Sequence, residues 1–152
     1  MHIVNSAVYA AFVGLLFRIV GNRYDRSRFS PDCFPYRCAN WEQEGRIYRK
    51  IGIHRWKERL PDMSRICRDM YPKQVTRRGD NENLKRLVQE TCVAECVHYQ
   101  LMLASVPVIF IGEDAGWFLY GLCVLGNLPF VLIQRYNRPR LLRALKKVKT
   151  TV

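Results

Sequence analysis

Two long apolar runs constrain this chain more than any other feature. They cover residues 3–20 and 97–133, and nearly all the charge lies between and after them. The first run, IVNSAVYAAFVGLLFRIV, contains one charged residue, Arg18, near its far end. A bilayer core of roughly 30 Å needs about 20 helical residues. The run nearly fits, with Arg18 reaching the interface on its long stem. A cleaved signal peptide is the rival reading, but no Lys or Arg precedes the run and no small-x-small site follows it.

The second run contains a turn. Val97 to Gly112 is apolar, Glu113-Asp114-Ala115-Gly116 interrupts, and Trp117 to Ile133 is apolar again. This reads as a helical hairpin with a short acidic tip. Pro107 and Pro129 lie in its two arms, as membrane helices tolerate when neighbours satisfy the freed carbonyl. A hairpin that dips in and returns is the alternative to two full spans.

Charge then sets the orientation. Of 25 basic residues, 17 lie between Asn22 and Cys96, seven lie from Arg135 onward, and none lies in residues 1–17 or in the turn. The excess of Lys and Arg on inner loops predicts an outer N-terminus, a cytosolic central region, an outer hairpin tip and a cytosolic C-terminus. The expected fold is mainly α: a small integral membrane protein with about three membrane helices. Its segments are an N-terminal helix (1–21), a basic cytosolic or interfacial region (22–92), a hairpin (93–134) and a basic amphipathic tail (135–152). A soluble basic protein with two buried helices fits poorly with 37 nearly uncharged residues in one hairpin. A formal charge of +12 also suits nucleic acid, but no RNA-binding or zinc-finger signature is present. Basic residues flanking membrane segments meet anionic lipid heads instead.

Candidate chemistry follows from helix length. Val97 to Gly112 makes only about 24 Å of helix, so a crossing helix must begin near Val93. That draws Glu95 and His98 to the inner membrane edge. Thr91, Glu95, His98, Met102 and Ser105 share one helical stripe. A carboxylate and an imidazole at i and i+3 can hydrogen-bond, which fixes the tautomer a general base needs. A structural pair tying the helix to the basic region explains the same residues equally well. A helix is also expected to start near Asp80 or Asn81, with Leu84, Leu87, Val88 and Thr91 on its face.

At the far end, Asn127, Gln134 and Arg138 lie near one stripe if the helix continues past Pro129. Pro139 disfavours helix at Arg138. Arg140 to Lys149 then reads as a basic amphipathic helix with Leu141, Leu142, Leu145 and Val148 on one face. Lipid-head anchoring is the plain reading of Arg135, Arg138 and Arg140. The sharper one is a guanidinium cluster gripping a phosphate or sugar. Trp and Tyr beside Arg and Lys in 22–90 fit an interfacial surface or a groove for a sugar or a nucleotide-bearing donor. His54 reads as an exposed or interfacial imidazole.

Six cysteines raise the question of metal. Cys33 and Cys38 are five apart and Cys92 and Cys96 four apart, spacings that match no common zinc module. Cys67 and Cys123 add no third pair. Reduced thiols are expected, with no metal and no cofactor. No GxSxG elbow, phosphate-binding glycine loop or His-x4-Asp pair is present; His98 is followed by Met102 and Leu103, and His54 by Glu58 and Arg59.

Three blocks together carry a family likeness: WKERLPD (56–62), ETCVAECVHY (90–99) and NLPFVLIQRYNRPRL (127–141). In this order and spacing the chain, from about Asn40 to Leu142, resembles the glycosyl-4,4'-diaponeurosporenoate acyltransferase family, whose best-known member completes staphyloxanthin-type carotenoids. QRYNRPRL is the most specific part, and Asn40-Trp41-Glu42 with Gly45 supports it more loosely. The resemblance implies a membrane acyltransferase that esterifies a fatty acyl chain onto a sugar hydroxyl of a glycolipid. Its partners would be that acceptor, an acyl donor such as acyl-CoA, acyl carrier protein or a phospholipid, and the anionic bilayer. On that basis His98 is expected to take the sugar proton while Glu95 orients it. Gln134, Arg135, Asn137 and Arg138 are expected to hold the oxyanion or a phosphate, with Trp56 and Lys57 flanking the headgroup. These roles are a chemical reading of matching positions. The alternative is a non-catalytic basic membrane protein that binds anionic lipid or recruits a partner enzyme.

Overall fold

A computed structural model describes residues 1–60 and 81–150. The described residues are helical with no strand. The elements are α1 (His2–Arg23), α2 (Arg46–Lys50), α3 (Ile53–Trp56), α4 (Asn81–Ala104), α5 (Val108–Ile111) and α6 (Gly116–Thr150), with short 3₁₀ turns between them. The Pro61-Asp62 end of the WKERLPD block, Cys67 and Asp80 lie outside the described residues. Three stretches are long and apolar enough to cross a bilayer: His2–Arg23, Asn81–Ile111 and Glu113–Val148. This is the mainly α architecture, with three helices of membrane-crossing length, expected from the apolar runs.

The chain forms two compact units, one from Met1–Tyr24 and Ala94–Val131, the other from Asp25–Val93 and Leu132–Val152. The first unit is an apolar helical assembly turned outward. Phe12, Phe110 and Phe118 are 63%, 78% and 68% exposed, and Ile3, Val8, Leu103, Trp117 and Leu125 are exposed too. So many large apolar side chains left exposed suit a surface that meets lipid or a partner. The tie points between α1 and the hairpin are polar: Tyr9 Oη donates to Ala104 O at 3.0 Å, and Tyr24 Oη donates to Gln100 Oε1 at 2.8 Å. Close packing completes the contact, since a Cβ on Gly21 would lie 2.7 Å from Val97 Cγ2. Small residues let membrane helices approach in this way.

The turn in the apolar hairpin falls where the sequence places it, but its first arm is not one rod. Helix α4 ends at Ala104, and residues 105–107 turn before α5. Pro107 has no N–H to continue the ladder. Ser105 covers part of that break, its Oγ donating to Leu101 O at 2.7 Å. Along α4, Leu84, Leu87, Val88 and Thr91 are buried, the face the sequence assigned to it.

The second unit is built around Tyr48, Ile53 and Tyr136, with Ile47, Trp56, Leu132 and Ile133 packed against them. The helix break expected at Arg138–Pro139 does not occur, because α6 runs without interruption from Gly116 to Thr150 through both prolines. Pro139 removes the N–H that would have bonded Arg135 O. Gly45 lies against this point with φ +85°, and a Cβ there would lie 3.5 Å from Pro139 Cγ and 3.7 Å from Arg135 O. The side-chain anchors of Arg135 and Arg138 hold the helix across the defect. The tail is helical with a half-buried face of Leu141, Leu142, Leu145 and Val148.

Gly21→Ala is expected to destabilise the first unit by about 1–3 kcal/mol through overpacking. Val97→Ala in the same chain should restore most of the loss. Thermal unfolding of the two variants in one detergent checks both statements.

Candidate functional site

His98 occupies the middle of an apolar helix pair, half-buried. Its Nδ1 lies 2.8 Å from Asn127 Oδ1, and Asn127 Nδ2 donates to Cys123 O at 2.8 Å. The second contact settles which way the amide points, because only its NH₂ can donate to a carbonyl. The oxygen therefore faces the imidazole, so Nδ1 carries a proton, and in the neutral ring the lone pair falls on Nε2. Phe130 stacks on the ring at 4.8 Å and 7°, fixing its plane. The sequence pointed to Glu95 as the residue that orients His98. On Nδ1 that part is taken by Asn127, an amide 29 positions away. Glu95 itself is fully buried at 0% exposure. Asn127 is the one amide side chain between Gly116 and Ile133, and that was the available signal.

In the second unit the arginines of the QRYNRPRL block are anchored by the protein. Arg138 is 3% exposed. Its Nε donates to Thr91 Oγ1 at 2.9 Å, Nη2 to Thr91 O at 3.1 Å and Nη1 to Tyr36 O at 2.6 Å. Its guanidinium also sits 5.6 Å from the Tyr36 ring centroid. Arg135 Nη1 pairs with Glu42 Oε1 at 2.7 Å, and Nη2 donates to Pro35 O. Thr91 joins in by donating its hydroxyl to Val88 O at 2.6 Å. Nearby, Glu90 receives both Arg26 and Arg86 at 3.0 Å.

Glu42 is the hub that sequence reasoning missed as a buried acid. It is 1% exposed and accepts from Tyr48 Oη, from Arg135 and from the Ala39 N–H at 2.6 Å. Burial works to raise its pKa, but the hydrogen bonds from Tyr48, Arg135 and Ala39 outweigh it and hold the carboxyl below its ordinary value. Burial, then Glu42, pushes the Tyr48 hydroxyl well above the usual range, so it stays a donor. The same two causes raise the Cys38 thiol, which argues against a thiolate acyl carrier there.

The remaining candidates gather around Tyr136. Trp56 packs on the Tyr48–Ile53–Tyr136 core. Lys57 Nζ lies 5.5 Å from the Tyr136 ring centroid, and burial, then Arg140, lowers its pKa. Gln134 is buried and Asn137 half-buried. A pocket of about 170 Å³ opens beside Arg135, Arg138, Glu42, Tyr36 and Cys38. Among the described residues no group of three or more His, Cys, Asp or Glu is arranged to hold a metal ion.

Bilayer-length apolar helices joined to a polar unit rich in arginine define a small membrane-type protein. The sequence profile of the glycosyl-4,4'-diaponeurosporenoate acyltransferases matches residues 25–147. The chain belongs to that family, and its class of chemistry is acyl transfer. Its relatives include the glycosyl-4,4'-diaponeurosporenoate acyltransferases of Staphylococcus aureus strains bovine RF122 / ET3-1, N315 and USA300. Each is 24% identical over 147 residues, covering 94% of this chain and 87% of the relative. No solved structure matches the chain.

Glu42→Gln should cost about 3–5 kcal/mol by leaving Arg135 without its buried partner. The carboxyl's depressed pKa means its contribution is present above the ordinary value of 4.5 and is lost as pH falls through the folded value. Melting curves from pH 7 to pH 3 should therefore show a stability loss below about pH 4.5 in the parent, flatter in the variant. Arg138→Lys should lose stability despite keeping the charge, because one ammonium cannot fill three acceptors in fork geometry; denaturant melts test this.

Proposed function

We propose that this enzyme esterifies a fatty acyl chain onto a sugar hydroxyl of a glycolipid, with His98 as the general base. The family acceptor, a glycosylated diaponeurosporenoate, is the candidate substrate. The observation that carries the reading is the His98–Asn127 contact, which leaves Nε2 as the basic nitrogen of a ring fixed in plane by Phe130. Nε2 removes the proton from the sugar hydroxyl as its oxygen attacks the acyl carbonyl. The tetrahedral intermediate collapses, the bond from carbonyl carbon to the donor's leaving atom breaks, and the imidazolium returns the proton to that leaving group. The donor is an activated acyl carrier such as acyl-CoA or acyl carrier protein, and no resident cofactor enters the scheme. Glu95 is assigned to stabilising the imidazolium, as a buried carboxylate on the same helix stripe.

Arg135 and Arg138 hold the second unit together in this scheme, while Gln134, Asn137, Trp56 and Lys57 are assigned to the headgroup region. The chain is placed in the cell membrane with its N-terminus outside and its C-terminus cytosolic. The distribution of Lys and Arg supports that orientation. His2 Nδ1 lies 3.4 Å from Glu113 Oε1, which agrees with the N-terminus and the hairpin tip sharing one side.

His98→Gln should lower kcat by about 10²–10⁴-fold, the usual contribution of a general base, while the protein still inserts into membranes. Asn127→Leu should lower kcat with little change in KM, and by less than His98→Gln. In the His98→Gln background it should add almost nothing, because the two residues act as a unit. Acyl transfer measured on membranes with a glycolipid acceptor tests this; full activity in His98→Gln removes the base from the mechanism.

A further inference from the structure

The second unit also contains a groove that the transfer scheme leaves without a role. It has a volume of about 750 Å³ and is lined by Arg46, Arg49, His54, Arg140, Arg143 and Glu44. That volume is in the range of small-molecule sites. The arginines come as two pairs at i and i+3, Arg46 and Arg49 on α2 and Arg140 and Arg143 on α6, so each helix turns one face to the groove. Four guanidiniums face one carboxylate. Among the described residues the side chains of Arg46, Arg49 and His54 make no hydrogen bond or ion pair, and all three residues are exposed. Arg140 is oriented by Tyr136, whose ring centroid lies 4.9 Å away and whose hydroxyl accepts from Nη1. Arg143 reaches Glu44 Oε2 and Glu44 O, each at 3.3 Å.

Four like charges gathered around a single counter-charge repel one another and create a local field that attracts an anion. Guanidiniums in pairs match phosphate oxygens in fork geometry. Glu44 occupies the anion's place on one of them, and it does so from an unusual backbone. Gln43 and Glu44 have φ of 49° and 54°, a left-handed region that side-chain-bearing residues rarely adopt. Non-glycine residues held there cluster at ligand sites.

We propose that this groove binds the phosphate-bearing head of the acyl donor, with the Glu44 carboxylate yielding Arg143 to the incoming phosphate. The inference deepens the acyl-transfer reading and rests on it for the word donor. The phosphate itself has two sources, a soluble carrier such as coenzyme A or a phospholipid headgroup.

Two probes separate them. Coenzyme A and monomeric dihexanoyl phosphatidylglycerol are titrated calorimetrically into the full chain held in phosphatidylcholine nanodiscs. The expected result is binding of one probe that weakens at least tenfold in Arg46→Gln/Arg49→Gln, weakens with added salt and tightens in Glu44→Gln. Binding of coenzyme A assigns the groove to a soluble donor, and binding of only the lipid assigns it to a phospholipid. Arg46→Lys/Arg49→Lys, which keeps the charge, should lose less than the Gln pair and guards against a folding artefact. Binding retained in His98→Gln keeps the groove separate from the base, so that either can fail alone. Affinities for both probes that are equal in the parent chain and the Arg46→Gln/Arg49→Gln variant overturn the proposal.

Discussion

The polar unit depends on one buried guanidinium. Arg138 is nearly removed from water, and such a charge is affordable only when its donors are filled. Thr91 supplies a hydroxyl and a carbonyl from α4, and Tyr36 supplies a carbonyl and a ring face from the preceding loop. One side chain on α6 thereby ties together two other segments of the unit. A Lys would carry the same charge and could satisfy neither the planarity nor the number of acceptors. The same anchoring lets α6 pass Pro139, a residue that would cost an isolated helix about 3 kcal/mol.

Glu42 repeats the principle with the opposite sign. A carboxylate at 1% exposure is tolerable because a guanidinium, a phenol and a backbone N–H converge on it. Its lowered pKa is the sum of a burial cost and three compensating bonds. Tyr48 is held protonated by the same charge and by burial, so the network has fixed donors and a fixed acceptor. Such networks specify one arrangement because a half-made version leaves a charge buried without its partner.

The sequence made the architecture legible because membrane crossing is a length-and-polarity constraint that a local window can read. Apolar runs of 18 and 37 residues with so little charge leave few arrangements other than spans, and the buried face of α4 followed from the positions of Leu84, Leu87 and Val88. The site was legible only in part. Glu95 and His98 stand three residues apart, so helical spacing suggested their pairing at once. Asn127 answers His98 across 29 positions, and Arg135 answers Glu42 across 93; no local pattern carries such a distance. The continuity at Pro139 was misjudged for the same reason, since local propensity weighs the proline and cannot weigh Thr91 or Gly45.

A single turn sorts two acids of this region into opposite tasks. Gln43, Glu44 and Gly45 are all left-handed, at φ 49°, 54° and 85°. Left-handed helical geometry costs an L-residue roughly 1–2 kcal/mol, so two non-glycine residues in succession are a considerable local expense. Glu42, just before the turn, points inward and is consumed by Arg135. Glu44, within it, is exposed at the surface and touches Arg143, eight residues further along α6. An exposed ion pair of this kind adds little stability, too little to justify the backbone on its own. The strain is instead consistent with a carboxylate held where it tempers a cluster of guanidiniums. A cluster so tempered remains open to a stronger anion, and phosphate, with its greater charge and oxygen count, is the anion that guanidinium forks bind best.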